Sequence, residues 1–160
     1  AILFTILTAS RVGESVPARW DEIDWENRIW SVPPERRKDQ KPYPHRVPLS
    51  DQAIELLKSI EKKGDHIFGV SEESLGSRYT LTKLLKRLTG TTATMHGFRS
   101  TFRDWAAENG VPDIVAEKCL MHTTGNAVVQ AYQRSDLLEQ RREVMQQWAD
   151  AVFSEVSSAA

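Results

Sequence analysis

The sequence predicts a mainly α-helical domain with one small antiparallel β-sheet, an α+β class. Three observations predict it. Apolar residues recur at helical spacing over most of the chain, while residues 21–32 alternate and are answered by a short apolar run at 45–49. Between these two runs, Pro33-Pro34 and a polar, basic stretch read as a hairpin tip. The third is composition: 40% hydrophobic and 27% charged residues are globular proportions, and 160 residues suffice for one domain that buries about two-thirds of its unfolded surface.

Element by element, Ile2, Leu3, Ile6 and Leu7 mark an opening helix, and Thr8-Ala9-Ser10 a turn. A short helix follows Gly13 and runs to about Trp20, and Asp21 to Val32 reads as a single strand stopped by the two prolines. His45 to Leu49 is the returning strand, with Pro48 at its end or on an edge. Ser50 is placed to cap a helix carrying Ala53, Ile54, Leu57 and Ile60, which Gly64 would end; His66 to Phe68 suggests a short third strand. From Ser77 or Thr80 a helix sets Leu81, Leu84, Leu85 and Leu88 against a face of Lys83, Lys86 and Arg87, and Gly90 closes it. Met95 to Asn109 reads as a helix ending at Gly110. Pro112 opens the next, Asn126 to Ala131 makes a short one, and Leu137 to Phe153 is the last, with 154–160 a disordered tail. The chain opens inside a helix without a cap, which suggests a single domain over 1–160 whose upstream part is missing.

Composition excludes several classes. The longest apolar stretch, residues 1–7, is far short of the ~20 residues of a membrane span, and it lacks the basic flank and cleavage site of a signal peptide. Cys119 is the sole cysteine, so neither an internal disulfide nor a thiolate metal cage can form, which suits a reducing cytoplasm. His45 and His66 have no partners at zinc spacing and read as structural. The net charge of −1 hides strong polarisation: residues 35–49 carry +3, and residues 78–103 carry +6 with no acid at all. One basic face is what a polyanion-binding protein shows, although two solvated surface stretches account for the charge equally well. Arg36, Arg37, Lys41, Arg78, Lys83, Lys86 and Arg87 are the phosphate-contact candidates.

Four short motifs could carry chemistry. His96 and Arg99 fall on one helix face, a proton carrier beside a planar donor fork suited to phosphate oxygens. Arg11, in a turn that leads into a helix, is followed one turn later by Glu14, which can fix its rotamer. His122 follows Leu120-Met121. Tyr132 is a phenol with a pKa near ~10, a poor nucleophile without cations and a proton acceptor around it. Singly, each motif is commonly an ordinary surface pair or a packed side chain.

Taken together, in this order and spacing, they resemble the tyrosine recombinase (phage integrase) family. Segments 97–107 and 132–148, Trp20-Asp-Glu-Ile-Asp24 and Val47-Pro-Leu-Ser50 are similar to those of prophage and genomic-island integrases. The resemblance covers nearly the whole chain and departs at Ala9-Ser10 and Met121, where the family commonly has glycine or another small residue. It implies a catalytic domain without its upstream DNA-clamping domain. In that reading Arg11 and Arg99 bind the non-bridging oxygens of the scissile phosphate, His96 accepts or donates a proton, and His122 donates a hydrogen bond to the transition state. Tyr132 attacks phosphorus to give a 3′-phosphotyrosine. A lysine of the hairpin, Lys38 rather than Lys41, protonates the departing 5′ oxygen. No metal or other cofactor is implied. The partners implied are double-stranded DNA attachment sites and, in the full-length protein, a homo-tetramer in which the last helix packs either on its own domain or on a neighbour. The location implied is the bacterial cytoplasm, at the nucleoid, with no membrane association. A type IB topoisomerase and a non-catalytic DNA-binding module are the alternative functions.

Overall fold

The computed structural model describes residues 1–69, 78–122 and 135–158, with backbone alone at 78–80 and 155–158. It is mostly helical around one small sheet. Helix α1 (Ile2–Leu7) leads into the single turn α2 (Val12–Ser15). Strands β1 (Ile23–Asp24), β2 (Ile29–Val32) and β3 (His45–Pro48) form an antiparallel sheet in the order β1-β2-β3. Helices α3 (Asp51–Lys58), α4 (Arg78–Thr89), α5 (Gly97–Glu108), α6 (Asp113–Cys119) and α7 (Leu138–Ser158) complete the described α-helices, beside two 3-10 turns at Trp20–Glu22 and Pro34–Arg36. Among the described residues no helix is long and apolar enough to cross a membrane.

Two apolar clusters organise the molecule. One packs Phe4 and Leu7 of α1 against Trp30, Val32, Val47 and Leu57 of the sheet and α3. The other joins α5, α6 and α7 through Phe102, Val115, Leu120, Met145 and Trp148. Trp148 meets Phe102 edge-on at 5.4 Å and donates its indole N–H to the Ile6 carbonyl at 2.8 Å, which ties α7 to α1. The last helix therefore packs on its own domain, the first of the two arrangements the sequence left open.

Several boundaries differ from those expected, each for a local reason. Residues 21–32 form a hairpin, not one strand. The Asp24 carboxylate accepts from the Asn27 backbone N–H at 2.9 Å and its side-chain amide at 2.8 Å, and Arg28 takes φ +53°, so the chain reverses between β1 and β2. Ser50 caps α3 as expected by accepting from Ala53 N at 3.3 Å, but that helix stops at Lys58, well before Gly64. His66 makes only an isolated bridge to Arg19, not a strand. Helix α5 starts at Gly97, not Met95, because the Thr94 hydroxyl takes the Gly97 N–H at 3.0 Å. Helix α7 continues through Ser158, so the first part of the expected tail is helical backbone. The short helix expected at 126–131 lies outside the described residues.

The junction of α7, β3 and α6 is centred on Arg141, which is 1% exposed. It donates to the Arg46 carbonyl at 2.7 Å and to His45 Nε2 at 3.3 Å. Burial and the adjacent Arg141 charge push the His45 imidazole well below its ordinary pKa. A histidine held neutral in the fold but protonated when unfolded makes the unfolded state bind more protons below about pH 6.5, so stability is lost as the pH is lowered through that range. The urea midpoint is expected to drop between pH 7.5 and pH 5.5, and His45→Gln, which keeps an acceptor for Arg141, to flatten that dependence. Identical pH profiles for the two proteins would exclude this origin.

Candidate active site

Two helix ends build the floor of the site. Helices α1 and α6 both terminate by a reversal in which the sixth residue's N–H returns to the first carbonyl: Ser10 N to Thr5 O at 3.3 Å, and His122 N to Glu117 O at 2.9 Å. This geometry needs a left-handed residue just past the helix, and the residues there are Ala9 at φ +47° and Met121 at φ +51°. These lie at the two places where the sequence departs from the pattern that the resemblance implies, Ala9-Ser10 and Met121. A glycine would adopt that conformation without the clash a Cβ brings.

Arg99 of α5 lies across both ends. Its Nη1 donates to the Ala9 carbonyl and its Nη2 to the Leu120 carbonyl at 2.6 Å, with His122 Nε2 at 3.2 Å from the same Nη2. The guanidinium is buried, and burial followed by repulsion from Arg11 lowers its pKa to about 10. It therefore stays charged at neutral pH. Arg11 caps α2: its backbone N–H and its Nη1 donate to the two oxygens of Glu14, at 2.9 and 3.0 Å. Glu14 is itself buried, so this pair sets the Arg11 side chain rigidly beside Arg99.

Two adjoining clefts open over these groups. One of about 560 Å³ is lined by Arg11, Lys38, Thr82, Thr94, His96 and Arg99, among others. The second, about 410 Å³, is lined by Arg11, Lys38, Asp39, Glu117, Met121 and His122. Arg11 and Lys38 belong to both. His96 sits at the N-terminal cap of α5, exposed, with its carbonyl taken by the Arg99 N–H at 3.1 Å. The structure thus brings Arg11, Lys38, His96, Arg99 and His122 together. A patch of cations and ring nitrogens whose three acids, Glu14, Asp39 and Glu117, are each engaged by a neighbouring arginine suits a phosphate diester. Tyr132 lies outside the described residues, as does the side chain of Arg78.

Of the remaining basic candidates, Lys83, Lys86 and Arg87 are on the outer face of α4 and exposed. Lys41 is half-buried and lines neither cleft. Arg36 and Arg37 hold partners within the protein, and Arg36 also lines the first cleft. Arg36 is turned inward to an ion pair with Glu22 and to the Pro17 carbonyl, and Glu22 also accepts from the Trp30 indole at 2.9 Å. Arg37 forks onto both oxygens of Asp39 at 2.8 and 2.6 Å, donates to the Tyr43 carbonyl at 2.7 Å and lies over the Tyr43 ring. Both arginines fix the base of the loop that presents Lys38, instead of facing solvent. Charge counting alone could not separate these roles. The sequence reading also passed over Glu117, which accepts from His122 Nδ1 at 2.8 Å. Its only signal is its place five residues before His122, where a helix-ending reversal brings the two together.

Residues 1–139 match the Phage integrase family. The chain belongs to that family. It is 38% identical over 156 residues to prophage integrase IntA of Escherichia coli K12, covering 94% of this chain and 37% of that protein. It is 32% identical over 174 residues to the integrase of Enterobacteria phage P4, covering 94% and 39%. The chain therefore spans well under half the length of either relative. Among solved structures, the crystal structure of XerA recombinase superposes with a TM-score of 0.58 at 23% identity over 91% of this chain and 54% of that one, a likeness of fold.

If Arg37 orders the loop, Arg37→Ala is expected to destabilise the domain by about 1–3 kcal/mol, read as a lower urea midpoint at unchanged slope. A solvent-facing phosphate ligand would shift stability by less than about 0.5 kcal/mol.

Proposed function

We propose that this chain is the catalytic portion of a site-specific DNA recombinase that integrates or excises a mobile element through a 3′-phosphotyrosine intermediate. The observation that carries the reading is the convergence of Arg11 and Arg99, 88 positions apart in sequence, on one cleft shared with Lys38 and His96. Family membership supports it, as do the prophage and phage integrases among its relatives.

In the proposed reaction Arg11 and Arg99 bind the two non-bridging oxygens of the scissile phosphate. The Tyr132 hydroxyl attacks phosphorus and gives up its proton, with His96 the acceptor at the cleft. The bond to the 5′ oxygen breaks as Lys38 Nζ delivers a proton to it. The strand end is then held as a phosphotyrosine diester, and a 5′-hydroxyl from another strand reverses the steps. Negative charge gained by the five-coordinate phosphorus falls between two fixed guanidinium groups, so little reorganisation is needed. Because the phosphotyrosine keeps the bond energy of the diester, rejoining needs no nucleotide.

The partner is double-stranded DNA at attachment sites, with Lys83, Lys86 and Arg87 on the backbone. The full-length protein acts as a homo-tetramer on two duplexes, in the cytoplasm at the nucleoid. With α7 engaged on its own domain, that tetramer draws on other surfaces.

Tyr132→Phe is expected to abolish covalent capture of a nicked duplex bearing the attachment site, while DNA affinity stays within about twofold. Capture that survives the change overturns the mechanism. Binding without capture by the unmodified protein would favour a non-catalytic DNA-binding module. Lys38→Ala is expected to slow capture by about 10²–10⁴-fold on an ordinary duplex and to recover on one with sulfur as the bridging 5′ atom, because a thiolate leaves without a proton. Equal slowing on both substrates would remove Lys38 from the leaving-group step.

A further inference from the structure

We infer that Glu117 is a positioning residue which holds His122 as its Nδ1–H tautomer, so that Nε2 enters the reaction as an acceptor and donates to a phosphate only after gaining a proton. The argument follows from donor and acceptor inventory. A carboxylate only accepts, so the 2.8 Å contact between Glu117 Oε2 and His122 Nδ1 requires hydrogen on Nδ1. An arginine only donates, so the 3.2 Å contact from Arg99 Nη2 requires a bare lone pair on Nε2. Both contacts select the same tautomer. Glu117 cannot swing away easily, because Arg103 Nε donates to its other oxygen at 3.1 Å while Arg103 Nη2 is held by Asp113 at 2.9 Å. The helix-ending reversal at Met121 then fixes the distance, since the His122 N–H is bonded back to the Glu117 carbonyl.

This arrangement changes the part expected of His122. As a neutral ring with Nε2 bare it cannot donate to a phosphate oxygen. As imidazolium it can, with Nδ1–H still held by the Glu117 carboxylate, as carboxylates orient catalytic histidines generally. The charged groups that share its cleft are Arg11, Lys38 and Asp39, with Arg99 and Glu117 in direct contact. The role rests on the recombinase reading, whereas the tautomer is a property of the protein without DNA.

Nitrogen-15 NMR of the histidine rings, at a pH where His122 is neutral, tests the tautomer on the chain as it stands. A bare Nε2 and a protonated Nδ1 are expected in the unmodified protein, and a population of the Nε2–H form in E117A. Glu117 lies on a half-exposed helical face where alanine keeps the helix. An Nε2–H ring in the unmodified protein overturns the inference. So does an unchanged Nδ1–H ring in E117A, which would leave Arg99 alone in control. With the nicked duplex, E117A is expected to lower the capture rate by about 10- to 100-fold at unchanged DNA affinity. An unaltered rate would leave Glu117 without a positioning role. If Tyr132→Phe fails to abolish capture, the recombinase reading falls while the tautomer result still stands or fails by itself.

Discussion

A single buried guanidinium holds this site together. Arg99 leaves α5 and donates to the carbonyls at the ends of α1 and α6, which are the negative poles of two helices. Burying an arginine without a carboxylate partner is costly unless its N–H groups are met, and two helix ends meet them. The same contact sets the spacing of Arg11, which follows the α1 turn, and of His122, which follows the α6 turn. Residues from three separate stretches of chain thereby acquire one geometry. Phe102, one turn further along α5, is fully buried against Trp148, so the helix that carries Arg99 cannot roll.

Around this centre the protein spends its other buried arginines on scaffolding. Arg36 and Arg37 close the base of the loop between β2 and β3, and Arg141 joins α7 to β3. Lys38 is presented from a loop whose flanking side chains face inward. A basic run in sequence thus divides by depth: Arg36 and Arg37 build the support, and Lys38 is the exposed member at the cleft. The arrangement explains how a hairpin tip can present Lys38 at the cleft without regular pairing of its backbone.

Much of this was legible in the sequence, and the limits have physical causes. Helical spacing located α1, α3, α5, α6 and α7, because amphipathic burial writes a period of 3.6 into the chain. The 21–32 stretch misled because its alternation persists on both sides of a turn made by Asp24 and Asn27, whose side-chain hydrogen bonds leave no trace in hydropathy. Arg11, Lys38, His96, Arg99 and His122, which line the two clefts, were singled out through motif order, which carries information about three dimensions that local pattern lacks. Glu117 and the inward turn of Arg37 were not found. Each depends on a partner whose orientation is decided by a helix end or a loop, and neither changes the period of the apolar residues.

The basicity of Arg99 is lowered first by burial and then by repulsion from Arg11, with which it shares a cleft. Any small oxyanion that settles between the two groups relieves that repulsion and binds only the folded form, so mass action moves the unfolding equilibrium. The molecule is therefore expected to resist melting better in a phosphate or sulfate buffer than in an amine buffer of equal ionic strength. Its apparent thermal stability belongs to the solution as much as to the chain.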